Sequence, residues 1–274
     1  MPQVSVIIST YNQPEWLRKV LVGYQQQINA DFEVIIADDG STEETKEIID
    51  TFKKKSSFII THVRQEDNGF QKTKILNKAI LASKSDYLII TDGDCIPRKD
   101  FVFKHTNLRQ PNCFLSGGYF KLPKTISELI SDEDIEKQFC FDKKWLLSKG
   151  LKSNFKLNKL TAFGFKEWLL NTFTPTKATW DGMNASGWKT DVLKVNGFDE
   201  RMQYGGEDRE FGERLMNLGI KPIQIRYSAI CVHLCHNRGY KNEESIKSNQ
   251  QIRNNTRAKK IIKTPFGIEK LEVK

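Results

Sequence analysis

Four short apolar runs recur in the first hundred residues, each ending in a polar cluster, and this alternation limits the fold more than any other feature. "VSVIIST" (Val4 to Thr10) is followed by "PEWLRKVLVGYQQQ" (Pro14 to Gln27), whose apolar residues fall at helical spacing after a proline suited to a first turn. "FEVIIADDG" leads into "STEETKEIIDTFKKK", where Ser41 or Thr42 is the expected N-cap and Glu43 and Glu44 sit where a helix dipole favours negative charge. "SFIITHV" precedes "TKILNKAILASK", and "DYLIITDGD" supplies a fourth strand. Unbroken apolar strands separated by helices imply an α/β fold with a mostly parallel sheet covered on both faces. In open sheets of this kind, ligands bind in the crevice beyond the carboxyl ends of the strands. Those ends read "STYNQ", "ADDGS", "RQEDNG" and "DGDCIP", so four strands bring hydrogen-bonding side chains to one edge.

Past Asp100 the rhythm loosens. "KDFVFKHTNL" predicts a helix and "CFLSGGYF" a strand, while Thr125 to Lys149 reads as mixed-charge helical segments with Trp145, Leu146 and Leu147 on one face. Ser153 to Thr179 carries Phe155, Leu160, Phe163, Phe165, Trp168, Leu169 and Phe173 among lysines. Ordinary packing over the sheet is the expectation there, with a membrane-facing patch as the alternative. No Pro/Gly/Ser linker and no repeat interrupts the 274 residues, which read as one continuous domain in two halves, 1–110 and 111–274. Hydrophobic residues at 38% and aromatics at 11% are enough for a sizeable core and exclude global disorder. No apolar run approaches the ~20 residues of a bilayer span, and "MPQVSVIISTYN" lacks the flanks of a signal peptide, so a cytoplasmic location is expected. The five scattered cysteines read as free thiols. The net charge of +9 concentrates late in the chain, where Lys241 to Lys274 hold nine Lys or Arg against four Glu, a surplus of five. Such a tail suits an anionic membrane surface, nucleic acid, a phosphorylated small molecule or a solvated face.

The chemistry concentrates at the strand ends. Asp92-Gly93-Asp94 sets two carboxylates one residue apart where they cannot both face the core, and an unpaired buried carboxylate is costly, so a divalent cation with hard oxygen ligands is a natural partner. Asp-Gly is also ordinary turn chemistry. Asp38 and Asp39 end the second strand the same way, and carboxylates accept hydrogen bonds from sugar hydroxyls and from the N–H of a base such as uracil. Thr10, Tyr11 and Asn12 lie at the neighbouring strand end, where an aromatic ring could stack on that base. There is no GxGxxG after the first strand and no GxxxxGK[ST], so neither dinucleotide redox chemistry nor a phosphate-loop ATPase is supported.

"VSVIISTYN", "IIADDGS", "GFQKTKILNKAI" and "YLIITDGDCIP" together resemble the nucleotide-sugar half of family 2 glycosyltransferases, over roughly residues 3–110. The resemblance implies a GT-A fold, whose central sheet is Rossmann-like and flanked by helices, with the acceptor side in the C-terminal half. It makes "DGD" the DxD motif, placing Asp39 at the uridine, Asp92 near ribose and metal with Gly93 between, and Asp94 on an Mn²⁺ or Mg²⁺ ion. Lys72 falls where related enzymes carry a basic residue near the donor.

The second half has its own signature, "WDGMNASGWKTDVLKVNGFDERMQYGGEDREFGERLMNLGI". Gly205-Gly206 allows a tight turn before a helix opened by Glu207-Asp208, whose apolar stripe is Phe211, Leu215 and Leu218. Acids at a helix start can serve as dipole partners; a carboxylate beside a bound donor is also suited to take the proton of an attacking hydroxyl. Direct in-line attack needs one base and no covalent intermediate, which implies inversion. The block is similar to the GGED region of β-1,4-galactosyltransferases and bacterial family 2 enzymes. That likeness makes Asp208 the catalytic base, Glu207 its acidic neighbour, and Tyr204, Trp188 and Gly206 acceptor-side residues, with Asn184 near the donor sugar. "CVHLCHNRGYKNEE" lacks a second CxxC or HxxxH for a zinc site. By its resemblance to the galactosyltransferases, His236 becomes a metal ligand, His233 an auxiliary one, and Arg238 a contact to the departing diphosphate.

These expectations add up to an inverting, metal-dependent hexosyltransferase that moves sugar from a UDP-sugar to a saccharide or lipid-linked saccharide, in bacterial surface polysaccharide or lipopolysaccharide synthesis, at the inner face of the cell membrane. A nucleotidyltransferase would want a glycine-rich basic loop where "STYNQPEW" stands. An RNA-binding protein, motivated by the pI of about 9.2, would want a basic-aromatic pattern that is not visible, and no nucleic acid partner is expected.

Overall fold

The computed structural model describes residues 1–236 and 242–270. The four apolar runs form β1 (Val4–Thr10), β2 (Phe32–Asp38), β3 (Ile60–Arg64) and β4 (Tyr87–Asp92), parallel to one another in the order β3-β2-β1-β4. Between them run α1 (Pro14–Gln25), α2 (Glu43–Lys55) and α3 (Lys72–Ala82). Successive strand residues point to opposite faces, and the core divides accordingly. Val4, Val6, Ile8, Val34, Ile36 and Ile89 pack with Leu17, Val20 and Leu21 of α1 and Ile49 and Phe52 of α2. Ile7, Ile35, Leu88 and Ile90 pack with Ile75, Leu76, Ala79 and Ile80 of α3 on the other face. Each such side chain contributes about 1.5–3 kcal/mol by leaving water, so both faces hold the parallel strands in register.

After β5 (Cys95–Pro97) and α4 (Phe101–Leu108), the segment expected as one strand divides into β6 (Cys113–Ser116) and β7 (Gly118–Lys121). β6 joins the large sheet and β7 a second, three-stranded one. The division falls at two glycines that only a missing Cβ permits: one added at Gly117 would lie 2.0 Å from Asn184 Oδ1, and one at Gly118 would lie 2.0 Å from the Arg226 carbonyl oxygen. Short helices α5 (Lys124–Leu129), α6 (Asp132–Glu136) and α7 (Lys143–Ser148) follow, then α8 (Asn158–Thr161), α9 (Gly164–Phe173), β8 (Asn184–Trp188), α10 (Lys189–Lys194), α11 (Glu207–Asn217), β9 (Lys221–Gln224), β10 (Ile230–His233) and α12 (Glu243–Ala258). The large sheet reads β3-β2-β1-β4-β8-β6-β9, with β8 antiparallel to both neighbours, so it is mostly parallel, as expected. The small sheet reads β5-β10-β7.

Two expectations change. Of the apolar residues in Ser153 to Thr179, Leu157 and Leu160 are buried, but Phe155, Phe163, Phe165, Trp168, Leu169 and Phe173 are exposed, so most of that segment does not pack over the sheet. The basic tail is largely a docked helix. Arg253 and Arg257 of α12 donate to Glu213 of α11 at 2.6 and 2.5 Å, and Thr256 donates to Glu210, which pairs with the fully buried Arg214.

Candidate active site

The strand ends of β1, β2 and β4 form one wall of a cavity of ≈ 630 Å³, a size usual for small-molecule sites. The segment Asp181–Met183 and the loop Tyr204–Asp208 form a second wall, which meets the first at Lys72, and His233 and His236 also line the cavity. Of the residues singled out from the sequence, Thr10, Tyr11, Asn12, Asp39, Lys72, Asp92, Gly93, Asp94, Tyr204, Gly206, Glu207, Asp208, His233 and His236 all line this cavity. Arg238 lies outside the described residues.

Three expected residues are not brought there. Asp38 is fully buried, accepting from the Ser41 amide at 2.8 Å and facing His62 Nε2 at 2.8 Å. Burial opposes its ionisation, but the His62 and Ser41 hydrogen bonds prevail and hold its carboxyl low. Asp38 closes β2 with its carboxylate turned to His62, whereas Asp39, just past the strand, lines the cavity. Asn184 is also buried, its amide donating to the Gly118 and Ala229 carbonyls at 2.7 and 3.0 Å and its Oδ1 facing His105; it ties the two sheets together. Trp188 pairs with Tyr87 at the foot of β4 and donates to the Gln110 carbonyl at 2.8 Å. Because β8 runs antiparallel, four residues carry the chain about 13 Å away from the ligand edge.

On the strand-end wall every acid has a partner. Asp39 accepts from Gln65 Nε2 at 2.6 Å and from the Gln71 amide at 2.9 Å, while burial raises its pKa. Asp92 accepts from Ser9 Oγ at 2.7 Å and from Lys72 Nζ at 2.5 Å. Burial alone would lower Lys72, but Asp92, Glu207 and Asp208 outweigh it and hold the ammonium well above its usual range. Tyr11 donates to Asp67 at 2.9 Å, which raises its own pKa, and Asn12 Oδ1 accepts from the amide of Thr42, the residue that precedes α2.

The small sheet sets the position of the histidines. In the antiparallel β5–β10 pair, His233 lies opposite Cys95, and the Leu234 amide donates to the Asp94 carbonyl at 2.8 Å. His236 Nε2 then stands 2.9 Å from Asp94 Oδ2 and His233 Nε2 3.4 Å from it. Burial would raise Asp94, yet the His236 hydrogen bond and both imidazoles hold it below the usual carboxylate range. The three ligand atoms lie within 4.8 Å of one another. Adjacent ligands on an octahedral ion with bonds of about 2.1 Å stand roughly 3 Å apart, so one carboxylate oxygen and two imidazole nitrogens fit a divalent ion here.

The facing wall carries acids without such compensation. Gly206 adopts φ +91 at the start of α11, and Glu207 Oε2 accepts from the Gly205 amide at 2.9 Å. Asp208 Oδ2 accepts from the Gly182 amide at 3.1 Å and Oδ1 from the Arg209 amide at 2.7 Å. Burial, then Asp208, raises Glu207 against the opposing pull of Lys72. Asp181, absent from the sequence-based set, is pushed up to about 6 by burial and by Asp208. Phe70 is a second residue that sequence reasoning missed; its ring meets that of Tyr204 edge-on at 6.0 Å in the cavity wall. The loop before Asp208 is braced from behind, where Asn249 of α12 donates to the Gln203 and Gly205 carbonyls at 2.8 and 3.1 Å.

Residues 5–109 match the family described as "Glycosyl transferase family 2", and residues 176–237 match "N-terminal domain of galactosyltransferase". Chondroitin synthase of Escherichia coli is 29% identical over 79% of this chain, and that of Pasteurella multocida 31% over 79%. The chain spans only 32% and 23% of those two proteins. Among solved structures, S. aureus TarS 1-349 in complex with UDP-GlcNAc aligns with TM-score 0.65 at 14% identity, over 95% of this chain and 70% of that one. Mannosyltransferase PcManGT from Pyrobaculum calidifontis, in complex with GDP-Man and Mn²⁺, aligns with TM-score 0.58 at 20% identity, over 87% of this chain and 59% of that one. At these identities the structural likeness establishes the architecture.

Proposed function

As a member of glycosyltransferase family 2 with the GT-A fold and a galactosyltransferase-like block late in its sequence, this chain, we propose, transfers a sugar from a UDP-sugar to a saccharide or lipid-linked saccharide with inversion at the anomeric carbon. The observation that carries the proposal is that one cavity is lined both by the Asp94, His233 and His236 cluster and by Asp208. Asp94, His233 and His236 would hold a divalent ion, which when bound supplies positive charge to the departing diphosphate. A mixed carboxylate and imidazole set suits Mn²⁺ better than the all-oxygen preference of Mg²⁺.

The chain's own residues do the rest. Thr10, Tyr11 and Asp39 receive the uridine, with Asp39 accepting from the base or ribose. Lys72, fixed by Asp92, presents a permanent ammonium toward the donor. Tyr204 offers an aromatic face to the acceptor. Asp208 takes the proton of the acceptor hydroxyl as that oxygen bonds to the anomeric carbon and the bond to the phosphate oxygen breaks, its electron pair leaving on UDP. One base and direct displacement give inversion. Sequence similarity to the bacterial chondroitin synthases favours surface polysaccharide or lipopolysaccharide synthesis at the cytoplasmic face of the membrane as the setting.

The test is nucleotide release by the purified chain across UDP- and GDP-sugars, with Mn²⁺ or with chelator, followed by NMR of the product anomer. Metal-dependent UDP release with inverted product, falling about 10²–10⁴-fold in Asp208→Asn, is expected. A retained anomer, or an Asp208→Asn variant as fast as wild type, would overturn it.

A further inference from the structure

We propose that α9 and its flanks are a docking face for an anionic lipid surface. α9 is turned with its apolar stripe outward: Phe165, Trp168, Leu169 and Phe173, at i, i+3, i+4 and i+8, are 75%, 56%, 38% and 72% exposed. Phe155 and Phe163 extend the patch at 70% and 58%. Single exposed apolar residues need no explanation, but a helical stripe of this kind marks an interaction surface.

The orientation is built in. The inward side of α9 is polar and satisfied, since Glu167 is buried and accepts from Lys104 Nζ at 2.8 and 2.9 Å. Asn171 donates to Ser228 Oγ at 2.8 Å and accepts from the Tyr227 amide at 3.0 Å. Rolling the helix to bury its aromatics would unpair these groups, at the cost of a buried carboxylate without its cation. No slack in the fold accounts for the exposure.

Charge selects the occupant. From Leu151 to Thr179 the only acid is Glu167, already paired, whereas Lys152, Lys156, Lys166 and Lys177 are exposed around the aromatics. Exposed aromatic and leucine side chains interspersed in sequence with exposed lysines are the composition of a helix that lies in the headgroup region of an anionic bilayer. A second copy of this chain would set like-charged lysines against each other. Among the described residues no helix is long and apolar enough to cross a membrane, so attachment here would be peripheral. Between the two halves of the face in sequence, buried Lys159 covers the Tyr119 ring, which lies 6.3 Å from the His233 ring, and the chain next lines the cavity at Asp181. Use of the face in presenting a lipid-linked acceptor rests on the sugar-transfer reading; lipid binding itself does not.

The experiment is co-sedimentation of the full chain with vesicles of phosphatidylcholine alone and of phosphatidylcholine with phosphatidylglycerol, at low and high salt. Wild type should pellet with the anionic vesicles at low salt, and Phe165→Ser with Phe173→Ser should lower that partition at least about tenfold. Lys156→Glu with Lys166→Glu should lower it less and remove the salt dependence. Because these side chains are exposed, all variants should keep the wild-type melting temperature and nucleotide release. A blue shift of tryptophan emission on vesicle addition should vanish in Trp168→Phe. Wild type that ignores both vesicle types, or binding that survives the serine pair, overturns the proposal. So does a concentration-dependent dimer that the serine pair splits, which would make the face a contact between copies.

Discussion

Two groups of acids in the cavity, Asp92 with Asp94 and Glu207 with Asp181, carry similar side chains in opposite electrostatic settings. At the strand ends, Asp92 meets Lys72 and Asp94 meets two histidines, and Asp94 is held below its usual range. Across the cavity, Glu207 and Asp181 are both raised, with Asp208 among the causes for each. Lys72 and the two histidines compensate Asp92 and Asp94, whereas Asp39 beside them is raised by burial, as are Glu207 and Asp181, which backbone amides, Lys72 and Arg209 offset only in part. A wall rich in basic partners is suited to hold phosphate and metal, and a wall of crowded carboxylates is suited to hold a proton. On the proposed mechanism, one cavity would separate the departure of the leaving group from activation of the nucleophile.

Removing a partner from one wall breaks the contrast most sharply. Asp94→Ala should weaken Mn²⁺ binding by about 100-fold or more and abolish metal-dependent UDP release, while thermal melting stays near wild type. Titration of Mn²⁺ by electron paramagnetic resonance checks this, and unchanged affinity would move the ion away from Asp94.

A smaller effect should come from behind the second wall. Asn249→Ala orphans the Gln203 and Gly205 carbonyls and loosens the loop that carries Asp208. The turnover number should fall about tenfold, corresponding to roughly 1.4 kcal/mol, with the Michaelis constant for the donor unchanged and activity largely restored in Asn249→Gln. Equal damage to both parameters would mean that the brace serves folding alone.

The smallest effect concerns stability. An acid whose folded pKa is raised weakens the fold as pH climbs from its unfolded value through its folded one. Asp181, moving from 3.8 to about 6, therefore imposes its full penalty above about pH 6 and none below about pH 4. In chelator, Asp181→Asn should gain on the order of 1–3 kcal/mol at pH 8, a gain that fades to nothing near pH 4 in denaturant melts. A gain independent of pH would assign the effect to packing.

Much of the first wall was legible because parallel strands buried on both faces leave unbroken apolar runs whose ends mark the ligand edge. Asp38 is held inside by His62 and Ser41, contacts with no local pattern, and only Asp39 beyond the strand end reaches the cavity. The second wall was legible at Glu207 and Asp208, where glycines and an acidic helix start leave a local pattern. Asn184 and Trp188 went astray because nothing in "NASGW" signals that β8 runs against its neighbours. Three-residue β5 is too short to show any period, so the pairing that sets His233 beside Asp94 could not be read from spacing. Asp181 had no signal at all: its shifted pKa arises from burial and then from the charge of Asp208, 27 residues away in sequence, both of which exist only in the fold.

The division of labour between the walls is tested most directly by anomalous scattering at the manganese edge from a crystal grown with UDP and Mn²⁺. A single peak within about 2.0–2.4 Å of an Asp94 oxygen and of His236 Nε2, with the Asp208 carboxylate left open to an acceptor, is the predicted result. A manganese peak bound instead by Glu207, Asp208 or Asp181 would contradict it.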